Sequence, residues 1–119
     1  MNKSVMVVDD SVFIRNLMRD ICKSAGFDTV YEASGGREAI AKYDQFNPDL
    51  VFMDIMMPEM NGIEALKIII SKHKDAKVVI ITSLQQGAII KEATDAGALD
   101  FIPKPIKREE VTSLIRRYL

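Results

Sequence analysis

The feature that most constrains this chain is a set of three uninterrupted apolar runs, each breaking abruptly into polar residues. Val5-Met6-Val7-Val8 runs into Asp9-Asp10, Leu50-Val51-Phe52-Met53 into Asp54, and Val78-Val79-Ile80-Ile81 into Thr82-Ser83. A strand with one face in water alternates apolar and polar residues. A strand without alternation is buried on both faces, as in a parallel sheet covered by helices. Open parallel sheets bind their ligands outside the carboxyl ends of the strands. All three runs therefore deliver their first polar groups to one rim. A carboxylate there is unfavourable to bury uncompensated, which directs attention to Asp54 and to the turn formers Pro58, Asn61 and Gly62 behind it.

Between the runs the spacing turns helical. From Phe13 to Ala25, Ile14, Leu17, Met18, Ile21 and Ala25 share one stripe, and Gly26 ends it. Thr29-Val30-Tyr31-Glu32-Ala33 is β-prone, and Ser34-Gly35-Gly36 marks a turn. A second helix is expected over 37–46, burying Ala39, Ile40, Tyr43 and Phe46. It ends at Asn47-Pro48 because the residue before proline is pushed out of the helical region. A third helix covers 63–73 with Leu66, Ile69 and Ile70 inward, and a fourth runs over 86–96 to Gly97. A short last strand over 99–102 enters Pro103-Lys104-Pro105, and a fifth helix over 108–119 carries Val111, Leu114, Ile115 and Tyr118.

Five βα repeats in strict alternation predict an α/β fold: a five-stranded parallel sheet, right-handed crossovers, and helices on both faces. Proline lacks a ladder donor, so Pro103 places the fifth strand at an edge. The flavodoxin-like order 2-1-3-4-5, a known doubly wound arrangement, meets that requirement and sets the first strand beside the third.

The 119 residues fit a single domain, expected over 1–119 with no output domain. With 48% hydrophobic residues the chain can bury a core without disulfides, and its one cysteine, Cys22, can form none internally. A reducing, cytoplasmic setting is the expectation. Sixteen basic residues against 17 acidic leave a formal charge of −1, no footprint for nucleic acid or an anionic membrane. The residues before the first apolar run are too few for a leader or a membrane span.

If the first and third strands are neighbours, Asp9, Asp10 and Asp54 meet at one rim. Carboxylates that close repel one another unless a cation neutralises them. An oxygen-only set with room for waters suits Mg²⁺, and no His or Cys is placed for zinc. His73, the only histidine, reads as solvated surface at a helix end, and Met56, Met57 and Met60 as packing and loop residues. Thr82 arrives from the fourth strand and Lys104 from the fifth, held extended between two prolines. A nucleophilic carboxylate, a metal clamp, a hydroxyl and an ammonium suit phosphoryl transfer, where positioning and charge stabilisation dominate.

These residues resemble those of response-regulator receiver domains over the whole chain, the stand-alone chemotaxis regulators most of all. The matches are Val8-Asp9-Asp10-Ser11, Asp54-Ile55-Met56-Met57-Pro58-Glu59-Met60-Asn61-Gly62, Thr82-Ser83, Ala96-Gly97-Ala98 and Lys104-Pro105, each at the corresponding strand end. The resemblance implies a phosphoacceptor switch of a two-component system. Asp54 would accept a phosphoryl group from a histidine kinase's phosphohistidine. Mg²⁺ would be held by Asp10, Asp54 and the backbone carbonyl of Met56, with Asp9 acting through a metal-bound water. Lys104 would pair with the phosphoryl oxygens, and the Lys104–Pro105 bond would be cis. Thr82 would move to the phosphate and Phe101 would swing inward behind it. That motion would remodel the face made by the fourth helix, fifth strand and fifth helix.

The implied protein is a monomer and no enzyme, a stoichiometric phosphoacceptor that catalyses only its own phosphorylation and dephosphorylation. Its implied partners are a chemotaxis-type histidine kinase, a flagellar-motor or adaptor protein docking on that face, and a phosphatase, without nucleic acid or membrane insertion. Chemotaxis is the first reading; a single-domain phosphorelay intermediate and the isolated receiver of a longer transcriptional regulator are the alternatives. Three positions depart from the family pattern. Phe101 stands where many relatives have tyrosine, and Pro103 precedes Lys104 where relatives usually have another residue. Met56 and Leu84 flank the site where polar side chains are frequent, which implies slower self-dephosphorylation. Two other classes fail on single positions. A flavodoxin-like electron carrier needs a first turn that cradles phosphate, which Asp9-Asp10 would repel. A metal-dependent phosphatase needs a general acid two positions beyond its nucleophile, where Met56 stands.

Overall fold

The structure is a computed structural model and describes residues 2–83 and 87–119. Its elements alternate as expected: β1 (Ser4–Val8), α1 (Val12–Ser24), β2 (Thr29–Ala33), α2 (Gly36–Phe46), β3 (Leu50–Asp54), α3 (Gly62–Lys72), β4 (Val78–Thr82), α4 (Gly87–Asp95), β5 (Asp100–Pro103) and α5 (Arg108–Tyr118). The strands form one parallel sheet in the order β2-β1-β3-β4-β5. Pro103 does fall on an edge strand, in register with Thr82.

Successive residues of each central strand feed two different cores, which is why the apolar runs do not alternate. Met6, Val8, Val51, Met53, Val78 and Ile80 pack with Ala39, Tyr43, Leu66 and Ile69 from α2 and α3. On the other face, Val5, Val7, Leu50, Phe52, Val79 and Ile81 pack with Met18 and Ile21 from α1 and with Val111, Leu114 and Ile115 from α5. Each large side chain fully buried this way contributes about 1.5–3 kcal/mol relative to exposure. Cys22 belongs to the second core, where burial pushes its thiol pKa up to about 12.

Helix ends follow local chemistry. Ser11 caps α1 by accepting the Ile14 N–H at 3.3 Å. Asn61 caps α3 in a reciprocal box: its side chain accepts the Glu64 N–H at 2.9 Å, while the Glu64 carboxylate accepts the Asn61 N–H at 3.3 Å. Asn47 ends α2 in the left-handed region at φ 47°.

Two side chains differ from expectation. Phe46 is not a core residue; it is 39% exposed and stacks on Tyr31, ring centroids 4.2 Å apart. β2 is an edge strand, so the end of α2 lies over its half-buried Tyr31, at the margin of the first core, instead of over the centre of the sheet. His73 is not simply solvated either, since its Nε2 lies 2.8 Å from Asp44 Oδ1 and ties the end of α3 to α2. The expected start of the fourth helix at Gln86, and Leu84, lie outside the described residues. Among the described residues no helix is long and apolar enough to cross a membrane.

Candidate functional site

Strand register builds the site. Val8 of β1 is paired with Met53 of β3, so the next residues, Asp9 and Asp54, emerge side by side. Asp10 completes a cluster in which one carboxylate oxygen from each residue lies within 4.8 Å of the others. Asp9 and Asp54 are buried, 0% and 2% exposed, while Asp10 faces solvent. Local turns hold the two buried groups: Asp9 Oδ1 accepts the Ser11 N–H at 2.9 Å, and Asp54 Oδ1 accepts the Met56 N–H at 3.3 Å.

The opposing cation comes from the far side of the sheet. Lys104 N–H donates to the Thr82 carbonyl at 2.9 Å, which docks the end of β5 onto β4, and the following bond to Pro105 is cis. Its Nζ reaches 3.2 Å from Asp9 Oδ2 and 3.4 Å from Asp54 Oδ2. Thr82, fully buried, ends β4 beside Asp54, whose register partner is Ile81. The rim thus brings together Asp9, Asp10, Asp54, Thr82 and Lys104. Met56 lies at its mouth, 57% exposed. Phe101 stays outside the rim on β5, 39% exposed.

Burial is the first cause that holds the Asp54 carboxyl above its ordinary pKa, and the charge of Asp9 adds to it; Lys104 and the Met56 N–H offset only part. Burial works against the Lys104 ammonium, but Asp54 and Asp9 together outweigh it and raise its pKa. Lys104 pairs with two of the three clustered carboxylates, Asp9 and Asp54, so this one ammonium does not balance the charge of the cluster. The donors are all oxygen, they converge within 4.8 Å, and one of them opens to water. That set fits a hard divalent cation that keeps some of its hydration.

Two contributors carry no plain mark in the sequence. Gly62 looks like a turn former, yet its importance lies in what it lacks. A Cβ there would sit 2.1 Å from the Asp54 carbonyl oxygen, and the Gly62 N–H donates to the Ile55 carbonyl at 2.9 Å. Only glycine lets the first turn of α3 lie against the end of β3. The Asn61-Gly62 pair followed by Glu64 is the available signal, because it announces a capped helix start. Arg15 sits in the first turn of α1, and its Nη1 donates to the Asp9 carbonyl at 2.6 Å. Its spacing marks it only as a polar helix residue.

Residues 5–116 match the family described as response regulator receiver domain. The chain belongs to that family. This receiver is 44% identical to the chemotaxis protein CheY of Thermotoga maritima, with 98% of each chain covered. It is 41% identical to CheY of Bacillus subtilis, over 97% of this chain and 96% of the other. Among solved structures the receiver is similar to the crystal structure of the CheX-CheY-BeF3-Mg+2 complex from Borrelia burgdorferi, with TM-score 0.93 and 37% identity over 97% of this chain and 87% of that one.

Proposed function

We propose that the protein is a phosphoacceptor switch of a two-component system acting in chemotaxis, phosphorylated at Asp54. The observation that carries this reading is the buried Asp54 carboxylate beside Asp9 and Asp10 and 3.4 Å from the Lys104 ammonium, in a chain of the receiver family. Mg²⁺ is the proposed cation, held by Asp10, Asp54 and the Met56 carbonyl, with Asp9 reached through water. When bound it neutralises the carboxylates and the phosphoryl oxygens.

The chain's own groups then have separate tasks. An Asp54 carboxylate oxygen attacks the phosphorus of a phosphohistidine; the O–P bond forms, the N–P bond breaks, and the imidazole leaves to take a proton from solvent. Lys104, already between Asp9 and Asp54, pairs with the phosphoryl oxygens over a short movement. The Thr82 hydroxyl donates to one of those oxygens. Its displacement gives room at β4 for the Phe101 ring, now on the outside of β5, and so alters the α4–β5–α5 face. A modification that favours one of two packings is a population switch. Asp54 is consumed until its acyl phosphate hydrolyses, so the protein is a stoichiometric acceptor and not an enzyme.

In this reading the chain works in the cytoplasm as a monomeric single domain. It receives its phosphoryl group from a chemotaxis histidine kinase and docks a motor or adaptor protein on α4–β5–α5. The Borrelia relative was solved with CheX, and a protein of that kind is a proposed further partner. Intact mass after acetyl phosphate, with and without Mg²⁺, tests the reading. A Mg²⁺-dependent phosphoryl adduct that is lost in Asp54→Asn is expected. No adduct, or one indifferent to Asp54, overturns it.

A further inference from the structure

The guanidinium of Arg15 makes two contacts that phosphoryl transfer itself does not use. Nη1 donates to the Asp9 carbonyl at 2.6 Å, and Nε pairs with Glu32 Oε1 at 3.2 Å, with the Arg15 side chain only 16% exposed. Glu32 is itself held from two further directions. Its Oε2 accepts Arg19 Nη1 at 2.8 Å, and its backbone carbonyl accepts Lys42 Nζ. A fixed carboxylate on β2 therefore anchors a planar fork that grips the head of the β1–α1 turn.

The gripped oxygen belongs to the Asp9–Asp10 peptide. That unit is planar, so fixing its oxygen fixes the direction in which the chain enters Asp10. Asp9 is already tied through its N–H to the Ala33 carbonyl at 3.1 Å and through its carboxylate to Ser11 and Lys104. Asp10 is the exposed member of the cluster, and its own side chain forms no hydrogen bond or ion pair among the described residues that would fix it in the same way. We propose that Arg15 is a positioning residue for the divalent-cation site, holding the Asp9–Asp10 peptide so that the Asp10 carboxylate stays within reach of Asp54. The inference rests on the cation reading given under the proposed function.

Charge alone makes the opposite prediction, which gives the test a sign. A guanidinium beside a cation site repels the cation, so removing it should tighten binding if charge were its only effect. Calorimetric titration of metal-free protein with Mg²⁺, each variant first checked for folding by circular dichroism, compares wild type with Arg15→Met, Arg15→Lys and Arg19→Met. Arg15→Met is expected to raise Kd about tenfold or more, the range for loss of an outer contact that orients a ligand. Arg15→Lys keeps the charge but cannot span both partners, and should weaken binding to a smaller degree. Arg19→Met removes a cation from Glu32 without touching the Asp9 carbonyl and should bind as wild type or tighter. Binding in Arg15→Met at or above wild-type affinity overturns the proposal, as does equal weakening in Arg19→Met. If Arg15→Met does not fold, Arg15→Lys decides: wild-type affinity there overturns the proposal. Wild type that binds no Mg²⁺ sinks the cation reading and this inference with it, whereas a failure confined to the Arg15 variants leaves that reading standing.

Discussion

At the scale of single residues, Gly62 carries the sharpest constraint. Gly62→Ala places a methyl 2.1 Å from a backbone oxygen, not from a flexible side-chain tip, so either α3 or the end of β3 must shift. The expected loss is about 2–4 kcal/mol in urea denaturation. Wild-type stability in that variant would show that the helix start relaxes freely. The acceptor and its partners were legible in the sequence for a simple reason. Asp9, Asp54 and Thr82 are the first polar residues after buried runs, and Lys104 lies between two prolines. Gly62 and Arg15 were not legible in their roles because each acts on a backbone carbonyl across a turn, and sequence patterns report side-chain faces. Phe46 misled because its helical spacing fits a core stripe, whereas α2 ends over an edge strand and the ring finds Tyr31 instead.

At the scale of elements, α2 and α3 are joined by a polar clip whose strength depends on pH. Asp44 accepts from Lys72 Nζ at 3.0 Å and faces His73 Nε2 at 2.8 Å. The His73 contact is the first cause, and Lys72 the next, that holds the Asp44 carboxyl below its ordinary pKa. A carboxyl lowered on folding gives stability that is present above its unfolded value and is lost as pH falls through its folded value. Thermal melts of wild type and Asp44→Asn should therefore differ at neutral pH and converge in acid below the ordinary carboxylate range. A difference that stays constant across that range would mean that the clip's charge contributes nothing. Because Asp44 is exposed, the difference is expected to shrink in high salt as well. The clip itself was hidden from sequence reading: His73 and Asp44 stand 29 positions apart, and only the packing of two helices on one sheet face brings them together.

At the scale of the whole molecule, the sheet order sets which elements the proposed change at Asp54 would reach. β3, β4 and β5 are consecutive neighbours, so in the proposed switch Thr82 and Phe101 stand between Asp54 and one edge of the sheet, while β1 and β2 lie on the other side. Thr82→Ala should retain the Mg²⁺-dependent adduct at Asp54 yet reduce the activation-linked change in amide exchange over α4 and β5. An undiminished change there would remove Thr82 from the proposed switch. The alternation followed from the apolar runs and the helical stripes between them; the strand order came from a known doubly wound arrangement that the edge proline Pro103 fits, and that order assembled the rim.

The burial of Asp54 beside Asp9 has a last consequence, for evolution and for assay design. A carboxylate kept above its ordinary pKa by burial and a like neighbour is a standing tension in the resting fold. Asp54→Asn should therefore melt higher than wild type in chelator, although it is silent as an acceptor; an equal or lower melting point would show that the tension is already relieved. Selection for robustness alone would favour replacing this residue, so its use as an acceptor trades durability for responsiveness. The same tension makes the melting temperature a gauge of the signalling state, since any cation or phosphoryl group that quiets the acidic rim is read out as a gain in heat resistance.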